Sequence, residues 1–129
     1  MKLLLDTHIW LWSALTPARL SPRIANELRN LSNEIWVSPI SSWEALNLHR
    51  KGRLNLGEDV HDWIIEATSR FREAPLTHEI AVIAHEMPLL YWDPADRFLA
   101  ATAKVLGLTL VTADQRLLGL GTISTLANR

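Results

Sequence analysis

At 129 residues the chain has the size of one domain, and with 48% hydrophobic residues it can build a core without outside staples. It has no cysteine, which excludes a disulfide framework and a thiolate metal site and fits a reducing, cytoplasmic setting. A formal net charge of −1 leaves no global basic excess of the kind that marks many nucleic-acid readers. Arginine and lysine are locally grouped (Arg50, Lys51 and Arg53; Arg70 and Arg72; Arg19, Arg23 and Arg29), a pattern that by itself reads as solvated helix faces.

Lys2 to Leu5 reads as a short buried strand closed by Asp6. That early acid, with no small-residue cleavage site after it, argues against a secretory leader, and no later stretch reaches the roughly 18 apolar residues of a membrane span. His8 to Leu15 is an almost wholly apolar helix with Trp10 and Trp12 on different faces, so one of the two is available to a partner protein. Ser21-Pro22 is a helix start, with Ile24, Leu28 and Leu31 as its apolar stripe. Ile35 to Val37 is a second strand ending at Ser38-Pro39, followed by a helix over Ser41 to Arg50 that stops near Gly52; Trp36 and Trp43 read as core.

Two further helices are expected around His61 to Arg70 and His78 to Glu86. Asp93-Pro94 opens another that runs to Gly107 as its C-cap. Leu108 to Val111 is a third clear strand, Asp114 to Leu118 a helical turn, and Thr122 to Ser124 a weak last strand. No repeat, linker or low-complexity tract divides the chain, so residues 1–129 form a single domain. Strands alternating with helices predict an α/β fold with a mainly parallel central sheet flanked by helices on both faces.

In such sheets ligands bind beyond the carboxyl ends of the strands. Asp6 and Asp114 follow strands there, Glu44 lies in the helix after the second strand, and Asp96 is in the first turn of the helix before the third. Each acid also has a structural reading: Asp6 and Asp114 as helix caps, Glu44 as the far end of a capping box Ser41-Ser42-Trp43-Glu44, and Asp96 as a first-turn acid favoured by the helix dipole. Together they point elsewhere. Clustered carboxylates repel one another unless a cation neutralises them. Oxygen donors without cysteine suit Mg²⁺ or Mn²⁺, the usual apparatus of phosphodiester hydrolysis. The histidines do not compete: His78 and His85 are about two helical turns apart, and His8 reads first as a helix-start residue.

Four stretches carry a resemblance: Leu-Leu-Leu-Asp-Thr-His at the start, Ser-Pro-Ile-Ser-Ser-Trp-Glu around Glu44, Asp-Pro-Ala-Asp-Arg-Phe-Leu-Ala-Ala around Asp96, and Leu-Val-Thr-Ala-Asp ending at Asp114. In order and spacing the chain resembles the PIN-domain family, specifically its bacterial toxin branch of VapC-like ribonucleases. The resemblance implies a PIN-like fold, a Mg²⁺- or Mn²⁺-dependent endoribonuclease, a small VapB-like antitoxin partner and a homodimer. It implies that Asp6, Glu44, Asp96 and Asp114 are the acidic quartet and that Thr112 is a supporting hydroxyl. The mechanism expected from this has Asp6 and Asp96 holding the principal ion, with Glu44 and Asp114 completing the site or helping to hold a second one. Asp93 is then the N-cap before Asp96. Arg50, Lys51, Arg53 and Arg97 are candidates for attracting the RNA backbone, although Arg97 equally suits pairing with an acid. Tyr91-Trp92 departs from the histidine that often precedes Asp-Pro in such chains.

Two rival readings follow from the same residues. A haloacid-dehalogenase-type phosphatase also begins with a strand ending in Asp, but wants a second acid at position 8, where this chain has His8. An inactive binding module for RNA or a partner keeps the fold without the chemistry, and the presence of all four acids speaks against it.

Overall fold

The computed structural model describes residues 1–88 and 93–129; Tyr91 and Trp92 lie outside the described residues. In chain order the elements are β1 (Lys2–Leu5), α1 (Thr7–Leu15), a 3-10 turn (Pro17–Arg19), α2 (Pro22–Arg29), β2 (Glu34–Val37), α3 (Pro39–Arg50), α4 (Val60–Thr68), β3 (Arg72–Glu73), α5 (His78–Glu86), α6 (Pro94–Leu106), β4 (Thr109–Thr112), α7 (Gln115–Leu118) and β5 (Thr125–Ala127). The strands form one sheet in the order β3-β2-β1-β4-β5, and every pairing is parallel. The expected α/β architecture is present, with the central strand being the one that ends in Asp6.

A parallel strand covered on both faces is apolar at consecutive positions, because alternate side chains go to opposite layers. β1 does this. Leu3 and Leu5 join Ile9, Trp10, Ile24, Val37, Ala45 and Val111 in one core layer, under α1 to α4. Leu4 joins Leu99, Ala100, Ala103, Leu110 and Leu117 in the other, under α6 and α7. Small residues on α6 let α5 approach closely, where Ala101 packs against Ile80 and Ala84. The helix ends follow their local chemistry. Ser21 Oγ accepts from the Ile24 N–H with Pro22 as first helical residue, and Gly107 closes α6 in the left-handed region at φ 66°.

Several sequence expectations are corrected. Leu31 is not part of an apolar stripe: α2 ends at Arg29, Asn30 Oδ1 accepts from the Ser32 N–H, and Leu31 is fully exposed on the resulting turn. Trp43 is not core but 57% exposed, because α3 buries Ser41 and Ala45 and position 43 lies about 200° round the helix from each of them. Trp36 does pack against the layer around Leu4. The last strand lies at Thr125–Ala127 rather than at 122–124, paired with β4 through Leu110↔Thr125 to Thr112↔Ala127. The two-residue edge strand β3 was not expected at all; both its residues are exposed and charged, so it carries no hydrophobic pattern. Among the described residues no helix is long and apolar enough to cross a membrane.

Candidate active site

The carboxyl ends of β1 and β4 are adjacent, and the first acid stands between them. Asp6 continues β1, its N–H donating to the Val111 carbonyl at 2.9 Å, and then caps α1, its Oδ1 accepting from the Thr7 N–H at 2.7 Å. Its Oδ2 accepts from the Thr112 hydroxyl at 2.6 Å. Thr112 ends β4, and its Oγ1 also accepts from the Asp114 N–H at 3.0 Å. One hydroxyl thus fixes two acids from opposite ends of the chain. Asp114 caps α7 and holds a two-pronged contact with Arg116, at 3.3 and 3.2 Å.

The capping-box reading of Glu44 does not hold. Ser38 caps α3, its Oγ accepting from the Ile40 N–H at 3.1 Å with Pro39 as first helical residue, so Glu44 lies beyond the first turn. Its Oε1 accepts instead from the Thr7 hydroxyl, which also lies 2.8 Å from Ser41 Oγ. Asp93 is the N-cap of α6, its Oδ1 accepting from the Ala95 N–H at 3.1 Å. Asp96, one turn on, is buried with 8% of its surface exposed. All four expected acids, together with Asp93, line one cleft of about 450 Å³ with His8, Trp12, Ala113 and Arg116.

The electrostatics match this crowding. Burial raises the Asp6 carboxyl, against the pull of its Thr112 and Thr7 hydrogen bonds. Burial likewise raises Glu44, with Asp93 and Asp6 adding repulsion and the Thr7 hydroxyl opposing it. Asp96 is pushed up to about 8, by burial first and then by the charges of Asp93 and Asp6. Partial burial pushes Asp114 upward too, but Arg116 and backbone N–H groups outweigh it and hold that carboxyl below the ordinary value. The donors are all hard oxygens, aimed into one cleft and mutually repelling, which is the donor chemistry of Mg²⁺ or Mn²⁺. Among the described residues no three acid or imidazole side chains are preassembled around a single ion position. The cleft is therefore a set of converging donors, not a closed cage.

The sequence pattern of the PIN domain matches residues 3–121. The chain belongs to the PIN-domain family. It is 34% identical over 115 residues, 88% of either chain, to the ribonuclease VapC22 of Mycobacterium tuberculosis (strain ATCC 25618 / H37Rv). Its fold is that of the crystal structure of VapBC2 from Rickettsia felis bound to a promoter DNA fragment, with TM-score 0.78 and 18% identity over 98% of both chains. DNA-bound VapBC from Salmonella typhimurium gives TM-score 0.77 and 19% identity over 100% of this chain and 99% of that one.

In this PIN domain the basic candidates are not gathered at the acids. Arg97 turns away, its Nε and Nη2 donating to the Ala84 and His85 carbonyls at 3.1 and 2.9 Å, which ties α6 to the end of α5. Arg50, Lys51 and Arg53 are exposed at the far end of α3. Sequence reasoning missed the parts played by Thr7, Ser41 and Arg116. The hydroxyls of Thr7 and Ser41 sit within the resembling motifs, but their meeting across 34 positions has no local signature.

Two expected results arise here. Thr112→Val removes the hydroxyl that orients Asp6 and should lower the activity of this PIN domain about 10–100-fold, with Thr112→Ser restoring most of it. Steady-state cleavage rates beside a thermal melt check this; a Thr112→Val rate equal to wild type contradicts it. The second concerns pH. With Asp96 raised to about 8, the folded protein in EDTA keeps a proton that the unfolded chain releases near pH 4, so folding stability falls as pH rises between about 4 and 8. Melting temperatures across that range should decline in wild type and decline less in Asp96→Asn; parallel curves count against it.

Proposed function

We propose that this chain is the toxin half of a type II toxin–antitoxin pair, a divalent-metal-dependent endoribonuclease that hydrolyses RNA phosphodiester bonds at the carboxylate cleft. One observation carries this reading: four acids from four separate stretches line a single cleft beside β1 and β4, in a PIN-domain chain 34% identical to a VapC ribonuclease. Asp6 and Asp96 are the principal ligands for Mg²⁺ or Mn²⁺, with Glu44 and Asp114 completing the donor set. When bound, the divalent ion supplies Lewis acidity and charge neutralisation at the phosphate.

The chain's own residues do the positioning. Thr112 holds Asp6, and Thr7 holds Glu44, so two carboxylates face the cleft in fixed orientation. Arg116 restrains Asp114 and places a cation on the rim, where the charge of a bound RNA backbone develops. Asp96, raised to about 8, would have to give up its proton to serve as a ligand, so ion binding and deprotonation would be linked. The proposed protein partner is a VapB-like antitoxin, a reading supported by the likeness of the fold to VapBC structures. A homodimer acting in the cytoplasm completes the reading.

The test is cleavage of total cellular RNA by purified protein. Fragmentation with Mn²⁺ or Mg²⁺ that stops on adding EDTA is the expected result. Intact RNA under all ion conditions, from protein with a cooperative melt, contradicts the reading.

A further inference from the structure

The cleft has one aromatic wall that the carboxylate chemistry does not use. His8 and Trp12 line it from the same side of α1, one helical turn apart, with ring centroids at 6.0 Å and planes at 55°. Trp10 on the same helix is completely buried and Trp12 packs against the same core layer, yet Trp12 is only half-buried and His8 is exposed. The exposed Arg19 lays its guanidinium over the Trp12 ring, 4.5 Å from the centroid.

This stack is held from the active site itself. The Asn128 N–H donates to the Thr112 carbonyl at 3.0 Å. The Asn128 side chain then accepts from the Ser21 N–H at 2.7 Å and donates to the Arg19 carbonyl at 3.1 Å. The loop that carries Arg19 is thus fastened to the strand end that carries Thr112, so the stack and the acids keep one relative position.

We propose that Trp12 and Arg19 form a stacking site for an unpaired nucleobase next to the scissile phosphodiester. The inference rests on the RNA-cleavage reading above and adds to it a base-holding subsite outside the carboxylates. An acidic cleft repels the RNA backbone, so affinity has to come from groups that do not depend on phosphate attraction alone. The Arg19 guanidinium covers one face of the Trp12 ring, and its own outer plane, backed by the indole, offers any base a stacking surface that only an unpaired base is free to take. Bases in a duplex are already stacked.

The test is equilibrium binding, in EDTA, of a labelled single-stranded oligoribonucleotide and of the same sequence as a duplex. Trp12→Leu should weaken single-strand binding about ten-fold, with Trp12→Phe recovering most of the loss and duplex binding unchanged. Arg19→Gln, at an exposed position that leaves the core intact, should weaken single-strand binding several-fold. Single-strand binding untouched by Trp12→Leu and Arg19→Gln overturns the proposal, as does a wild-type protein with no affinity for the oligonucleotide. Loss of self-association in Trp12→Leu with RNA binding intact also overturns it, in favour of a protein contact. Binding through Trp12 and Arg19 without Mn²⁺-dependent cleavage supports the stacking site and sinks the nuclease reading alone.

Discussion

Asp96→Asn should reduce divalent-dependent RNA cleavage by at least about a hundred-fold, since even groups that merely orient metal ligands are worth 10–100-fold. The same variant should stabilise the protein in EDTA near pH 8, because it removes a buried carboxyl whose ionised form is opposed by Asp93 and Asp6. Activity and stability therefore move in opposite directions. A variant that merely disturbed the fold would lose both. Asp6→Asn should lose as much activity, since Asp6 stands where β1 and β4 converge on the cleft; the variant's amide oxygen can still accept from the Thr7 N–H, while its NH2 can only donate toward the Thr112 hydroxyl oxygen, reversing that bond. Cleavage within ten-fold of wild type in either variant would remove that residue from the site.

The largest stability effect is expected at Trp10. Its side chain is completely buried in the layer under α1, meets the Trp63 ring edge-on at 5.6 Å between centroids, and donates its Nε1–H to the Ala67 carbonyl at 2.9 Å. Trp10→Ala leaves a large cavity and an unpaired carbonyl, and should cost about 3–5 kcal/mol. Trp43 serves as the control. With more than half its surface exposed, Trp43→Ala should stay within about 1 kcal/mol, the range of surface changes. Urea denaturation with a common m-value measures both; equal losses at the two positions would contradict the layer assignment. Residues chosen from the sequence alone would not separate these two tryptophans, as Trp43 reads there as core.

The reason lies in which face of α3 is buried, and for its neighbour Glu44 in where the helix begins. Ser38-Pro39 and Ser41-Ser42 both offer N-cap signals, and the second offers a capping box ending at Glu44. The chain uses the first, with Pro39 as the opening helical residue. The earlier start releases Glu44 from capping to meet Thr7, while Trp43 faces solvent because it lies opposite the buried Ser41 and Ala45. Local pattern carried β1, β2 and β4 well, because consecutive apolar residues bounded by polar ones have few other uses in a short segment. It failed at the sheet edges. β3 is two exposed charged residues, and β5 follows a loop with Gly119 and Gly121, so neither has an apolar pattern to read.

The site divides in the same way. Topology puts Asp6, Glu44 and Asp114 just beyond strand ends at one edge of the sheet, whereas Asp96, on the helix before the third strand, is compatible with that edge but not forced to it. The hydroxyl links do not follow from topology, because Thr7–Glu44 and Thr112–Asp6 join positions far apart in the chain and are made by tertiary packing. Asp93 illustrates the remaining gap. Its role as N-cap is legible from Asp93-Pro94, while its place in the cleft, as the strongest charged neighbour of Asp96, emerges only once the acids are assembled.

The central claim is that Asp6, Glu44, Asp96 and Asp114 act together as a hard-metal site. Titration calorimetry of Mn²⁺ into protein freed of divalent ions tests it most directly. Saturable binding to wild type, with proton release near pH 7 and loss of the heat in Asp6→Asn and Asp96→Asn, is the expected result. Absence of binding to the wild type, or identical isotherms for wild type and both variants, would contradict it.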